Sequence, residues 1–336
     1  MPAEETEHER TWMCWPSNRR IWGPDLVDVQ DAIVSIARVI GDFEPVTMLA
    51  RPEETDRLRG LLEGVTLVPA PVDDLWARDT LPNFLIRTSA DGSWRLGAGR
   101  VRFNGWGKKQ IHNGDVALAG IVADHLGVEL IESGLVGEGG GLEVDGHGTV
   151  MAAESSWVNP NRNPGRSRED IEAALLSLLG ADRMIWVEGL AGQDITDGHI
   201  DTLARFAAES TIVIDAPASA VDPGDPWAAV AARTREQVGR ARTSAGQPYT
   251  VVEMTPPTAG RRHDEDFLAT YMNYYVCNGA VIAPQFGDRA ADARARDVLE
   301  RLFRGREVVQ LDIDPIAAGG GGIHCATQQQ PVTGNQ

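Results

Sequence analysis

Gly319-Gly-Gly-Gly-Ile-His-Cys-Ala-Thr-Gln-Gln-Gln330 is the stretch from which the rest of the chain can be read. Four successive glycines cost backbone entropy and give a core nothing to pack, so such runs persist where backbone turns tightly or approaches a ligand closely. The run predicts that the Cys325 thiol sits at the edge of a flexible loop, beside His324 and a polar tail. Counting back, polar motifs recur at near-regular separations. His199 lies 126 residues before Cys325, Glu138 lies 61 before His199, and Asp79 lies 59 before Glu138. The first gap is about twice the other two. A period near sixty predicts a repeated supersecondary unit, with about five copies filling the 336 residues and the polar motifs facing a shared centre. Residues 1–336 are then one domain rather than two.

The segments between the motifs fit such a unit. Helical periodicity marks Asp25 to Gly41, Glu53 to Glu63, Asp115 to Gly127, Ser167 to Gly180, Pro226 to Arg242 and Ala291 to Arg304. Ser167-Arg-Glu-Asp170 has the form of an N-terminal capping box, and Gly180 stands where a C-cap belongs. Each helix is followed by a short apolar or β-branched run: Val46 to Leu49, Val65 to Val68, Val128 to Ile131, Met184 to Val187, Thr250 to Met254 and Val308 to Leu311. Further strands are expected at Phe84 to Ile86, Thr211 to Ile214 and Ala280 to Ala283, and as a hairpin about Asp145-Gly146. The fold class is α/β with mixed sheets.

Bulk composition narrows the function. Hydrophobic residues at 42% and charged residues at 24% describe a globular chain with a sizeable core. A net charge of -18 argues against nucleic acid, whose binding rests on Lys and Arg neutralising phosphates, but suits a cationic substrate. The acidic start has no signal-like apolar region and no run approaches a membrane span, so a cytoplasmic protein without membrane contact is expected. Three scattered cysteines, Cys14, Cys277 and Cys325, do not make a disulfide framework and point to one reactive thiol. Whether the chain is a homo-oligomer is not legible.

A thiol nucleophile needs a group that gives a proton to the leaving group and takes one from water. His324 is adjacent to Cys325, and neighbours on a strand face opposite ways, so His199 in Asp194-Ile-Thr-Asp-Gly-His-Ile-Asp201 is the better candidate. Asp79 in Trp76-Ala-Arg-Asp-Thr80 and Glu138 in a glycine run add carboxylates. Acids, one histidine and one thiol make sense together if the substrate is a planar guanidinium cation, each acid taking a pair of its N–H groups. Phosphate-loop, serine-elbow, dinucleotide and zinc motifs are missing, and a soft thiolate among hard carboxylates is a poor magnesium or calcium site. No metal or cofactor is expected.

Together these motifs resemble the agmatine deiminase family, including its bacterial peptidylarginine deiminase-like branch, within the guanidino-group-modifying pentein superfamily. The resemblance also takes in Thr11-Trp-Met-Cys-Trp-Pro16, Phe103-Asn-Gly-Trp-Gly107, Asn159-Pro-Asn-Arg-Asn-Pro164 and Pro284-Gln-Phe-Gly-Asp288. It implies a five-bladed pseudo-symmetric α/β propeller of ββαβ units. It implies hydrolysis of a guanidinium group through a covalent thiouronium on Cys325, most simply agmatine and water to N-carbamoylputrescine and ammonia, a step of polyamine synthesis toward putrescine. His199 is then the general acid and base, Asp79 and Asp201 clamp the guanidinium, and Glu138 holds substrate and supports His199. Trp76, Trp106 and Gly322 join the substrate-binding set. The chain departs from the family pattern at Ala77, Leu81, Gly105 and Lys108. These departures leave the tail of the substrate open to free or modified arginine. Lys108 or Lys109 offers a partner for a carboxylate, although two solvent-facing lysines are the more ordinary reading. Amidinotransfer to an amine, or a non-enzymatic binder of cations, are the alternatives.

Overall fold

A computed structural model describes residues 1–88, 93–208, 210–217, 226–261 and 267–333. The six expected helices form at Leu26–Gly41, Thr55–Leu61, Leu118–Leu126, Arg168–Leu179, Pro226–Arg240 and Arg289–Leu302. Local chemistry sets their ends. Ser167 and Asp170 make the reciprocal capping box, and Gly180 closes the same helix in the left-handed conformation at φ 66°. On Leu26–Gly41 the apolar face formed by Val29, Ile33, Ile36 and Ile40 is completely buried. Each such side chain contributes roughly 1.5–3 kcal/mol by leaving water.

Among the described residues the strands form five sheets. Four repeat one design, in which an antiparallel pair is followed by a connection carrying a helix and then by a strand parallel to the second. They are Asn83–Thr88, Trp94–Arg102 and Leu130–Val136; Glu143–Val144, Thr149–Ala153 and Arg183–Val187; Ala204–Ala208, Thr211–Asp215 and Thr250–Met254; and Tyr275–Cys277, Ala280–Gln285 and Glu307–Asp312. The remaining sheet is assembled from both ends of the chain. Thr327–Pro331 lies antiparallel to His8–Cys14, which runs parallel to Val46–Ala50, with Thr66–Pro69 added outside. The expected hairpin about Asp145-Gly146 is present, and the Asp145 carboxylate accepts from the amides of His147 and Thr149 at 2.8 Å each.

Apolar side chains gather between the sheets and their helices in four clusters. This leaves the segments that lead into the first strand of each sheet free to carry polar groups. Asp79 precedes the strand at Asn83, Glu138 the one at Glu143, His199 and Asp201 the one at Ala204, and Cys325 the one at Thr327. The fifth equivalent place, before Tyr275, holds Asn273. Among the described residues no helix is long and apolar enough to cross a membrane.

Candidate active site

Cys325 sits in a turn at 323–326 and lines a cavity of about 810 Å³ whose wall also includes His199 and Asp201. The glycine run before it is not a loose tether. A methyl group on Gly321 would lie 2.1 Å from the Trp76 ring, and one on Gly322 would lie 2.6 Å from the Asn273 amide oxygen. The chain is glycine here because backbone presses on side chains, so the expected flexible loop is corrected to a packed one. Gly322 therefore meets Asn273, and Trp76, which also packs beside the Trp22 ring, lies under the run.

Asn273 meets Cys325 at two points. Its Oδ1 accepts from the Cys325 amide at 3.1 Å, and its Nδ2 donates to Cys325 Sγ at 3.3 Å and to Asp201 Oδ2 at 3.1 Å. The thiol itself points at Asp201 Oδ2, 3.5 Å away. Burial pushes the Cys325 thiol well above its usual range, and the charges of Asp201 and Asp79 push further, against hydrogen bonds from the Gly322 backbone and Asn273. Before a cationic substrate arrives, the thiol keeps its proton.

His199 opens the short helix Ile200–Leu203, its ring held between acids. Nε2 donates to Glu138 Oε2 at 3.3 Å, while Nδ1 has no hydrogen-bond partner and stands 3.9 Å from Asp79 Oδ1. Burial opposes a charge on this ring, but Asp79, Glu138 and Asp201 outweigh it and carry the pKa up to about 9. Asp79 accepts from the Gly140 amide at 2.9 Å and from the Trp106 indole at 2.9 Å; burial is the main influence raising its pKa. Trp106 serves as a donor to Asp79 from a left-handed backbone conformation, φ 52°.

Gly140 marks where these groups converge. A methyl group there would stand 2.8 Å from Asp79 Oδ1, 2.8 Å from His199 Nδ1 and 3.3 Å from Asp201 Oδ2. Gly140→Ala is expected to lower kcat/KM by about a hundredfold or more, because displacing a reacting group by about 1 Å has that cost. A steady-state comparison of purified proteins checks it, and unchanged turnover would mean that the three groups need not meet.

Behind this layer lies a second, fully committed one. Arg162 Nε donates to both Glu138 oxygens at 2.9 and 3.1 Å, and its Nη1 donates to Asp197 Oδ2 at 2.7 Å. Burial works against Asp197, yet Lys109, Asn161 and Arg162 bring its pKa down to about 2. Lys108 and Lys109 are both exposed, as the solvent-facing reading had them, and Lys109 also pairs with Asp197 at 2.8 Å and the Ile195 carbonyl at 3.0 Å. His324 lies beyond Asp201, donating to Oδ2 at 2.8 Å, while its other nitrogen meets Glu4 Oε2 at 2.9 Å. A turn rather than strand alternation takes it away from the thiol. Glu4 also accepts from Arg78 and Arg205 at 2.9 Å each, tying the N-terminus beneath the centre. Burial opposes ionisation of Asp201, but His324 reverses this and lowers its pKa.

Sequence reasoning missed Asn273, Arg162 and Gly140. The doubled gap before Cys325 signalled a missing motif, and Arg162 lay inside the quoted Asn159–Pro164 run. Neither signal named a role.

The model of the Porphyromonas-type peptidyl-arginine deiminase family matches residues 1–331. A Streptomyces coelicolor relative is 40% identical, with 99% of each chain covered. The agmatine deiminase of Stutzerimonas stutzeri is 33% identical over 99% of this chain and 95% of its own. Among solved structures the chain is similar to the agmatine deiminase of Enterococcus faecalis, with a TM-score of 0.90 and 26% identity over 98% of this chain and 95% of that one. Matched from its first residue through its last strand, the chain belongs to the Porphyromonas-type peptidyl-arginine deiminase family.

Proposed function

We propose that the protein hydrolyses agmatine to N-carbamoylputrescine and ammonia, a step toward putrescine, with residues 1–336 acting as one catalytic unit. The observation that carries the reading is the convergence of Asp79, His199 and Asp201 on one point, beside a thiol that shares Asp201. Acids gathered around an imidazole suit a planar cation, and the thiol beside Asp201 supplies a nucleophile. The agmatine deiminases among its relatives supply the tail, and the cavity agrees: among the described residues lining it there is no Lys or Arg to receive the carboxylate of free arginine.

In this reading Asp201 and Asp79 clamp the guanidinium. Asp201 Oδ1, buried and without a hydrogen-bond partner, is an acceptor waiting for one of its N–H groups. The cation favours loss of the thiol proton to solvent, and the hydroxyl proton released at the end of the cycle replaces it. The Cys325 thiolate then adds to the guanidinium carbon, giving a tetrahedral adduct. His199, already protonated, passes its Nδ1 proton to one amino group, and ammonia leaves with its bonding pair. A thiouronium on Cys325 remains, and His199 is neutral. Water gives a proton to His199 as its oxygen bonds to the same carbon. Collapse to the ureido carbonyl expels the sulfur, and the hydroxyl proton is released. Glu138, fixed by Arg162, orients the ring throughout.

Three buried free cysteines suit the reducing cytoplasm, where we place the enzyme. The test is a panel of agmatine, arginine and methylated arginines, with ammonia and products followed by mass spectrometry, with and without an amine acceptor. Agmatine is expected to give the ureido product and to lead the panel by at least tenfold in kcat/KM. Arginine leading would refute the substrate, and transfer to the added amine would refute hydrolysis.

A further inference from the structure

We infer that Asp215 is the subsite for the cationic tail of the substrate, pairing with the primary amine at the other end of the guanidino compound; this rests on the deiminase reading above. Asp215 ends the strand Thr211–Asp215 and lines the cavity that Cys325 also lines. Its neighbour Ile214 pairs with Ala204, so Asp215 stands at the end of the sheet near Leu203, two residues beyond Asp201. One cavity thus has Asp201 beside the thiol and Asp215 also on its wall.

The second carboxylate is under-used. Oδ1 accepts a single hydrogen bond, from the Thr270 hydroxyl at 2.8 Å, and no cation pairs with Asp215 among the described residues. Thr234, 1% exposed and lining the same cavity, has a hydroxyl with no hydrogen-bond partner. Leu203, Pro217, Phe267 and Leu268 supply apolar wall. Of the three carboxylates lining the cavity, Asp194 already accepts from the Thr196 hydroxyl and the Gly198 amide, so Asp201 and Asp215, on an otherwise partly apolar wall, are the pair that matches a molecule with a cation at each end and methylenes in the middle. A half-buried carboxylate with no cation beside it is stabilised when an opposite charge arrives. Burial raises the Asp215 pKa to about 7 despite the Thr270 hydrogen bond. An ammonium docking there would draw off the residual proton and form a charge-assisted hydrogen bond.

The test compares agmatine with n-butylguanidine, which keeps the guanidinium and the chain but lacks the amine. In Asp215→Asn, which preserves shape, KM for agmatine is expected to rise by roughly tenfold or more, in line with loss of a hydrogen bond to a charged group, with kcat little changed. The constants for butylguanidine should stay where they are, which also shows that the variant is folded. The preference for agmatine over butylguanidine then shrinks by the same factor. An unchanged preference, or equal loss on both compounds, would overturn the subsite while leaving the deiminase reading intact. No ammonia from either compound with the unaltered enzyme would overturn that reading, and the subsite with it.

Discussion

Cys325→Ser should abolish ammonia release from agmatine, a loss of roughly 10⁴- to 10⁶-fold as for removal of a nucleophile elsewhere. The hydroxyl has nearly the shape of the thiol and keeps a place beside Asn273 Nδ2 and Asp201 Oδ2, so the fold and substrate binding should survive. What disappears is a polarisable anion able to form and break a bond to the guanidinium carbon. The same argument separates two labelling reagents. Burial, Asp201 and Asp79 keep the thiol protonated in the empty site, so neutral iodoacetamide should label Cys325 slowly. A haloacetamidine carries its own cation and should label much faster, with agmatine protecting. Ammonia release is read in a coupled assay and labelling by intact mass. Turnover by the serine variant, or equal labelling rates, would remove Cys325 from the mechanism.

His199→Gln is expected to lower kcat by about 10²- to 10⁴-fold, the usual contribution of a positioned proton donor and acceptor. The pH profile carries the finer claim. In the proposed cycle the imidazolium expels ammonia, and the surrounding acids, against burial, hold that proton up to about pH 9. The kcat/KM profile of the unaltered enzyme should therefore fall as pH rises through about 9, and residual activity of the glutamine variant should lack that alkaline limb. Stability follows the same sign. The folded pKa lies above the ordinary value of 6.5, so the stabilisation is fully present below 6.5 and is lost as pH rises through about 9. Urea denaturation between those limits should show a decline in the parent that is missing in His199→Gln. An alkaline limb common to both proteins would belong to another group.

The repeat was legible because secondary structure is encoded over short distances. Apolar spacing marks the helices, Ser167 and Gly180 mark their ends, and the runs at Val46, Thr250 and Val308 need no partner to be recognised as strands. The missed strands are those whose identity depends on what they pair with. Thr327–Pro331 reads as a polar tail until it lies against His8–Cys14, and Tyr275–Cys277 is too short to show alternation.

The centre divides in the same way. Cys325, His199, Glu138 and Asp79 could be chosen from sequence because their residue types are rare in glycine-rich or apolar surroundings and recur at one spacing. Their division of labour could not. That Glu138 is held by Arg162, that Lys109 pairs with Asp197, that His324 serves Asp201 rather than the thiol, and that Asn273 completes the set are outcomes of contacts between residues far apart in the chain. Sequence by itself determined the repeating unit and the candidate groups of the centre, since hydrophobic period and side-chain chemistry are properties of a local stretch. Tertiary structure alone decided which of those groups meet, because the first and last strands must pair before Glu4, Arg78, Arg205 and His324 can lock beneath the site and fix each side chain's direction.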